Sequence, residues 1–218
     1  HLIEEGWDDI VGLEKSAIPT DIGSTSHASD FCYMTSHDKL NVEITNYSRE
    51  FYAKRGNYIQ TGGLEVARKG DDDRMLELIR KVGSGKAFGT NAHMISAAEA
   101  KEKFPLLEES EIQGALWDPD AGLVTPRSQK VAGDLVDEAV ASGKLKAFAY
   151  TPATKILVED GVAVGVETPK GTIMADYLVL CAGIWGSLVS NTADVKLPLL
   201  PLEHPLLFFG PWDHLEGT

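Results

Sequence analysis

Glu14 is the first residue of the chain whose type and place suggest chemistry. It closes the apolar run Ile10-Val11-Gly12-Leu13, where a βαβ nucleotide-binding unit sets the carboxylate that accepts hydrogen bonds from a ribose diol. The Gly-x-Gly-x-x-Gly loop that accompanies such an acid belongs about 20 residues upstream, farther than the 13 residues that precede Glu14. Gly83-Ser84-Gly85 lacks the third glycine and follows no strand. Ser24-Thr25-Ser26-His27 gathers hydroxyls and an imidazole in a short loop, and its local sequence alone reads as turn caps beside a loop histidine. Cys32 and Cys181 stand in no Cys-x-x-Cys or Cys/His ligand spacing, so Cys181, at the end of Tyr177-Leu178-Val179-Leu180, reads as a buried, inert thiol in a reducing compartment. Asp71-Asp72-Asp73 reads as a helix start rather than a metal site. Asp120 is explained by a Pro-Asp-Ala-Gly turn, and His37, His93 and His214 read as surface or cap residues.

The 218 residues carry 20 Lys and Arg against 33 Asp and Glu, a formal charge of −13. That excess repels phosphate backbones and anionic bilayers, so neither nucleic acid nor a membrane is an expected partner. With 43% hydrophobic and 24% charged residues the composition is that of a globular protein, and no apolar run reaches the roughly 18 residues of a spanning helix. His1-Leu2-Ile3-Glu4-Glu5 lacks the pattern of a signal peptide and reads as an interior start.

Several elements must position the candidate residues. Gly6 ends an expected short helix at Glu5, and residues 10–14 form a strand. A polar loop over 15–37 precedes a helix whose apolar stripe is Leu40, Ile44, Tyr47 and Phe51, up to Gly56. Gln60 to Ala67 reads as a strand bent at Gly62-Gly63. Met75, Leu76, Ile79 and Val82 predict a helix ended by Gly83, and Ser96-Ala97-Ala98-Glu99 predicts a capping box before a short helix. A helix over about 127–142 leads to strands at 145–150, 153–159, 162–168 and 176–182, with Asp160-Gly161 as a hairpin turn and the last strand buried.

Five segments stand together in an order that resembles a known family. They are Gly23-Ser24-Thr25-Ser26-His27-Ala28, Gln60-Thr61-Gly62-Gly63-Leu64-Glu65-Val66-Ala67, Pro119-Asp120-Ala121-Gly122-Leu123-Val124, Ala175 through Gly186, and Pro198-Leu199-Leu200-Pro201-Leu202-Glu203-His204. Their order and spacing resemble the FAD-dependent amine oxidoreductases of the D-amino-acid-oxidase-like type, above all the dimethylglycine and sarcosine dehydrogenases and oxidases. The resemblance implies that His27 is joined through a ring nitrogen to the flavin's 8α-methyl, with Ser24, Thr25 and Ser26 beside the cofactor and Glu14 on its ribose. It also implies that Cys181, Ala182, Gly183 and Trp185 line the FAD and that the backbone at Ala153 meets the adenine. His204 matches a histidine that faces the substrate, while Pro205-Leu206 departs from the family's polar or aromatic residues there.

The fold so implied is α/β: a glutathione-reductase-like FAD-binding lobe interleaved with an α+β substrate lobe and truncated at both ends. Residues 1–56 and 125–197 fall to the cofactor lobe, and 57–124 and 198–218 to the substrate lobe. The implied reaction is oxidative N-demethylation of a small N-methylated amino acid such as dimethylglycine or sarcosine, by hydride transfer to FAD. Tetrahydrofolate and a downstream folate-binding domain are implied companions in the intact protein, in the cytoplasm or the mitochondrial matrix. The competing expectations are a cofactor-free fragment with only folding or partner-binding properties, and a flavin oxidase of a D-amino acid or glycine.

Overall fold

The computed structural model describes residues 1–203 and 205. In chain order its elements begin with β1 (Ile10–Leu13), β2 (Phe31–Cys32), α1 (Lys39–Lys54), β3 (Tyr58–Gln60), β4 (Gly63–Arg68) and α2 (Asp72–Ala87). There follow β5 (His93–Ile95), α3 (Ala97–Lys103), β6 (Ile112–Asp118), β7 (Gly122–Val124) and α4 (Ser128–Ala141). The last are β8 (Leu145–Phe148), β9 (Lys155–Glu159), β10 (Val162–Thr168), β11 (Gly171–Met174) and the one-turn α5 (Gly186–Ser190). Two compact units result, 1–29 with 129–218 and 30–128. α1 packs on β3 within the second of these units. Among the described residues no helix is long and apolar enough to cross a membrane.

In the first unit β1 runs parallel to β8, with Ile10 opposite Leu145 and Leu13 opposite Phe148. Parallel pairing needs a crossover between the strands. It also sets the carboxyl end of β1, and with it Glu14, at one edge of the pair. α4 follows its predicted span and buries Val131 and Gly133. β9, β10 and β11 form an antiparallel meander in the order β11-β10-β9, and Asp160 (φ 50°) and Gly161 (φ 80°) make the left-handed pair that a two-residue hairpin requires.

Two expectations for this unit are corrected. Residues 2–6 form a turn, not a helix, because a single turn with Leu2 exposed repays none of its nucleation cost. Residues 176–182 are not a buried strand: Tyr177 is 72% and Val179 67% exposed, and Cys181 is exposed rather than buried. β-forming side chains become a strand only against a partner ladder, and no described residue pairs with this run.

The second unit holds two antiparallel sheets, β2-β7-β3 and β4-β6-β5. The expected single strand Gln60–Ala67 is divided between them at Thr61-Gly62. Gly62 bends the chain at φ 72° in a spot where a Cβ would lie 1.9 Å from the Trp117 ring. α2 covers one face of the second sheet through Leu78 and Val82, packed with Ala67, Ala92 and Leu116. α3, held by the predicted capping box of Ser96 and Glu99, covers the other through Ala100, against Ile95, Ile112 and Ala115. Each buried Leu, Ile or Val among these contributes about 2 kcal/mol.

Gly83 does not end α2. The helix continues through Gly85, where a Cβ would strike Thr90 and Thr35, and stops before Gly89, whose φ of 87° lets the chain turn away. The stripe expected to be the inner face of α1 is largely outward: Leu40, Ile44 and Tyr47 are exposed, and Val42 is the helix's buried residue.

Candidate active site

The described candidates all lie in the first unit; His204 lies outside the described residues. Glu14 stands half-buried one residue past β1. Its Oε1 accepts hydrogen bonds from the Ser16 backbone N–H at 2.9 Å and the Ser16 hydroxyl at 3.1 Å. These bonds tie the carboxylate back to the chain just after β1, and Oε2 has no hydrogen-bond partner among the described residues. The Glu14 carbonyl accepts from Thr151 N–H at 2.8 Å, and the Ser16 carbonyl from Tyr150 N–H at 2.8 Å. The segment after β8 is thereby tied to the segment after β1, which brings Pro152 and Ala153, both half-buried, close to Glu14.

Gly183 to Trp185 form a 3-10 turn leading into α5, and Gly183 takes φ 52° with open space where a Cβ would be. Lys15 reaches from the end of β1 to place its ammonium 3.7 Å from the centroid of the Trp185 ring. Glu14, the segment before Ala153 and the Cys181–Trp185 turn are thus joined at one strand edge. Lys15, Ser16 and Thr151, which make these joints, were not singled out in the sequence. The signal for Lys15 was present, a cation directly after the strand-end acid.

His27 occupies the exposed end of a turn over residues 24–27. The Ser26 hydroxyl donates to the Gly23 carbonyl at 2.8 Å, and His27 Nδ1 lies 3.1 Å from the same carbonyl and 3.0 Å from the Ser26 oxygen. A carbonyl only accepts, so Nδ1 carries the ring proton. In the neutral tautomer protonated at Nδ1 the ring lone pair lies on Nε2. Ser24 and Thr25 are exposed beside it. The hydrogen bonds of His27 stay within its own turn, separate from the joints around Glu14.

A groove of about 320 Å³ also opens in the first unit, lined by Lys155, Ile156, Met174, Thr192 and Asp194 among others. It contains none of the candidates. Among the described residues, no group of three or more His, Cys, Asp and Glu comes together as a metal site.

The family model described as FAD dependent oxidoreductase matches residues 1–217. The pyruvate dehydrogenase phosphatase regulatory subunit of Mus musculus, a mitochondrial protein, is 31% identical over 98% of the chain and 24% of its own length. Sarcosine dehydrogenase of Homo sapiens, also mitochondrial, is 32% identical over 94% of the chain and 23% of its own length. The chain therefore spans about a quarter of the length of these two relatives. Among solved structures, L-proline dehydrogenase from P. horikoshii superposes with a TM-score of 0.71 at 26% identity, covering 87% of this chain and 56% of that one. A match along nearly its whole length establishes that the chain belongs to the FAD dependent oxidoreductase family.

Proposed function

We propose that the protein containing this chain oxidises a small N-methylated amino acid, with sarcosine or dimethylglycine as the substrate class. The observation that carries the reading is the convergence at one strand edge of Glu14, the backbone before Ala153 and the Lys15–Trp185 pair, in a chain 32% identical to a sarcosine dehydrogenase. The donor set fits FAD. Glu14 keeps one carboxylate oxygen for a ribose diol, and the turn at Gly183 leaves space for a ring system against the backbone. His27 presents a lone pair at Nε2, while Ser24 and Thr25 offer hydroxyl and backbone donors to anionic oxygens.

When bound, FAD supplies the two-electron acceptor that takes hydride from the N-methyl carbon. The residues of the chain hold and orient. Glu14 would hold the ribose, the backbone at Ala153 and Ala182 would meet the adenosine and the flavin, and His27 would offer the ring nitrogen that tethers the flavin. His204, outside the described residues, keeps the amine neutral so that its lone pair can support departure of hydride. Water then hydrolyses the iminium to formaldehyde and the demethylated amino acid, or tetrahydrofolate bound by a downstream domain captures the one-carbon unit. Mitochondrial relatives favour the mitochondrial matrix as the location.

A second reading follows from the regulatory subunit that matches 98% of the chain: the flavin fold serves as a partner-binding body without turnover. One measurement separates the two. The whole protein is purified, its visible spectrum recorded, and sarcosine or dimethylglycine added without oxygen. Bleaching of the flavin band is the expected result. A bound flavin that neither substrate bleaches favours the second reading, and absence of flavin from the whole protein overturns the first.

A further inference from the structure

The loop that carries His27 is fastened on both flanks to the start of α4. Upstream, the Gln129 amide donates to the Thr20 carbonyl at 2.8 Å, and Pro19 lies against Gly133, where an added Cβ would come within 3.2 Å of the proline ring. Downstream, Asp30 adopts φ 64°, a left-handed conformation that only a few non-glycine residues tolerate. Its Oδ1 accepts the Ser128 backbone N–H at 2.7 Å, its Oδ2 lies 2.6 Å from Arg127 Nε, and its carbonyl accepts the Val124 N–H at 2.7 Å. The Asp30 side chain is only 12% exposed.

Ser128 opens α4, a helix with no acid in its own first turn. Asp30 therefore supplies from outside the negative charge that the free N–H groups and the dipole of a helix start favour. Burial pushes the Asp30 carboxyl up, but the Ser128 N–H and hydroxyl and the Arg127 guanidinium outweigh it and hold the group below its ordinary value.

We propose that Asp30 is a positioning residue for flavin attachment: its carboxylate clasps the first turn of α4 and so holds the turn of His27, three residues upstream, with Nε2 presented outward. The inference rests on the reading of His27 given above. Asp30 acts through the backbone of the turn, because its own carboxylate is committed to Ser128 and Arg127.

The test uses the whole protein with Asp30→Gly, Asp30→Asn, His27→Ala and, as a stability control in the core of the second unit, Val82→Ala. Glycine takes φ 64° without steric cost, so Asp30→Gly removes the carboxylate alone; Asp30→Asn keeps the shape and loses the charge. Two quantities are read: amide hydrogen exchange at Ser26, His27 and Ser128, and the fraction of flavin that stays with the polypeptide in denaturant. Asp30→Gly is expected to speed exchange at these amides by about tenfold, the worth of a hydrogen bond to a charged group. It should lower the denaturant-resistant fraction by about tenfold, as small displacements of a reacting group do. Asp30→Asn falls between, and Val82→Ala keeps the wild-type fraction despite a lower melting temperature. Wild-type exchange and flavin fraction in Asp30→Gly overturn the clasp, as does an equal loss of attached flavin in Val82→Ala. Should Asp30→Gly fail to fold, Asp30→Asn carries the same comparison. Full retention of attached flavin by His27→Ala overturns the reading of His27 itself and the flavin role of Asp30 with it, an outcome distinct from failure of the clasp alone.

Discussion

Lys15 lays its ammonium over Trp185 at 3.7 Å from the ring centroid, and this contact joins the residue after Glu14 to the turn that begins at Gly183. Lys15 is exposed, so the pair contributes about 0.5–1 kcal/mol to folding. Under the function proposed above, its larger effect falls on FAD binding. Lys15→Met should leave the urea midpoint of the whole protein nearly unchanged while weakening FAD retention several-fold. Dialysis against buffer in the His27→Ala background, where the flavin is held without a covalent bond, followed by flavin absorbance reads the second quantity. Equal FAD retention would mean that the contact is ornamental.

Glu14 offers a sharper case, since one of its oxygens is engaged by Ser16 and the other is not. Glu14→Gln keeps the size of the side chain but replaces a charged acceptor by a neutral amide. Hydrogen bonds to charged groups are worth about 1.5–3 kcal/mol, so FAD should bind about 10- to 100-fold more weakly if the carboxylate holds the ribose. The measurement is a flavin-binding titration of apoprotein in the His27→Ala background, where non-covalent affinity is accessible. Free FMN, which lacks the adenosine ribose, should bind both forms alike.

What could be read in the sequence and what could not divide along a physical line. The capping box at Ser96 and the Asp160-Gly161 hairpin were legible because each is decided by residues within four positions of one another. The end of α2 was not: Gly83 resembles a helix stop, but Gly85 is required by Thr35 and Thr90, which the chain brings in from far along the sequence or from beyond the helix end. The run 177–181 has the side chains of a strand and lacks the partner ladder that would make it one. For α1 the period was right and the burial was wrong, since periodicity defines a stripe but only the neighbours decide which side they cover. In the candidate site, the place of Glu14 at a strand end was legible, whereas the contacts of Lys15, Thr151 and Asp30 with Trp185, Glu14 and Ser128 are announced by no local pattern.

Gly62 is a position in the second unit where both the backbone and the neighbouring ring oppose a side chain. Its φ of 72° disfavours any side chain, and a Cβ there would lie 1.9 Å and 2.3 Å from two carbons of the Trp117 ring. The backbone penalty for a left-handed alanine is about 1–2 kcal/mol, and overpacking adds about 1–3 kcal/mol. Gly62→Ala should therefore lower the stability of the unit by about 3 kcal/mol, read as a shift of the urea midpoint. Adding Trp117→Leu should return part of the loss, because the clash is with the ring and the backbone penalty is not. A double variant no more stable than Gly62→Ala would assign the whole cost to backbone conformation.

Tyr33 and Tyr58 set the alkaline limit of the same unit. The Tyr33 hydroxyl donates to the Leu64 carbonyl, and the Tyr58 hydroxyl to the Asp120 carbonyl at 2.7 Å. Burial pushes both phenols up to about 12, with the carboxylates of Glu65 and Asp118 adding to the effect at Tyr33 and Asp118 and Asp120 at Tyr58. In the unfolded chain the same phenols titrate near 10. A folded value above the unfolded one means that the fold holds the proton more tightly. The stabilisation is then complete below about pH 10 and declines as the pH rises toward 12. Urea midpoints should accordingly be flat on the alkaline side up to about pH 10 and fall beyond it, with late appearance of phenolate absorbance from two of the six tyrosines. Tyr33→Phe should start from a lower midpoint, because the Leu64 carbonyl loses its donor at a cost of about 1 kcal/mol, yet show a shallower alkaline decline. An unchanged slope in Tyr33→Phe would place the alkaline loss on Tyr58 or on another group.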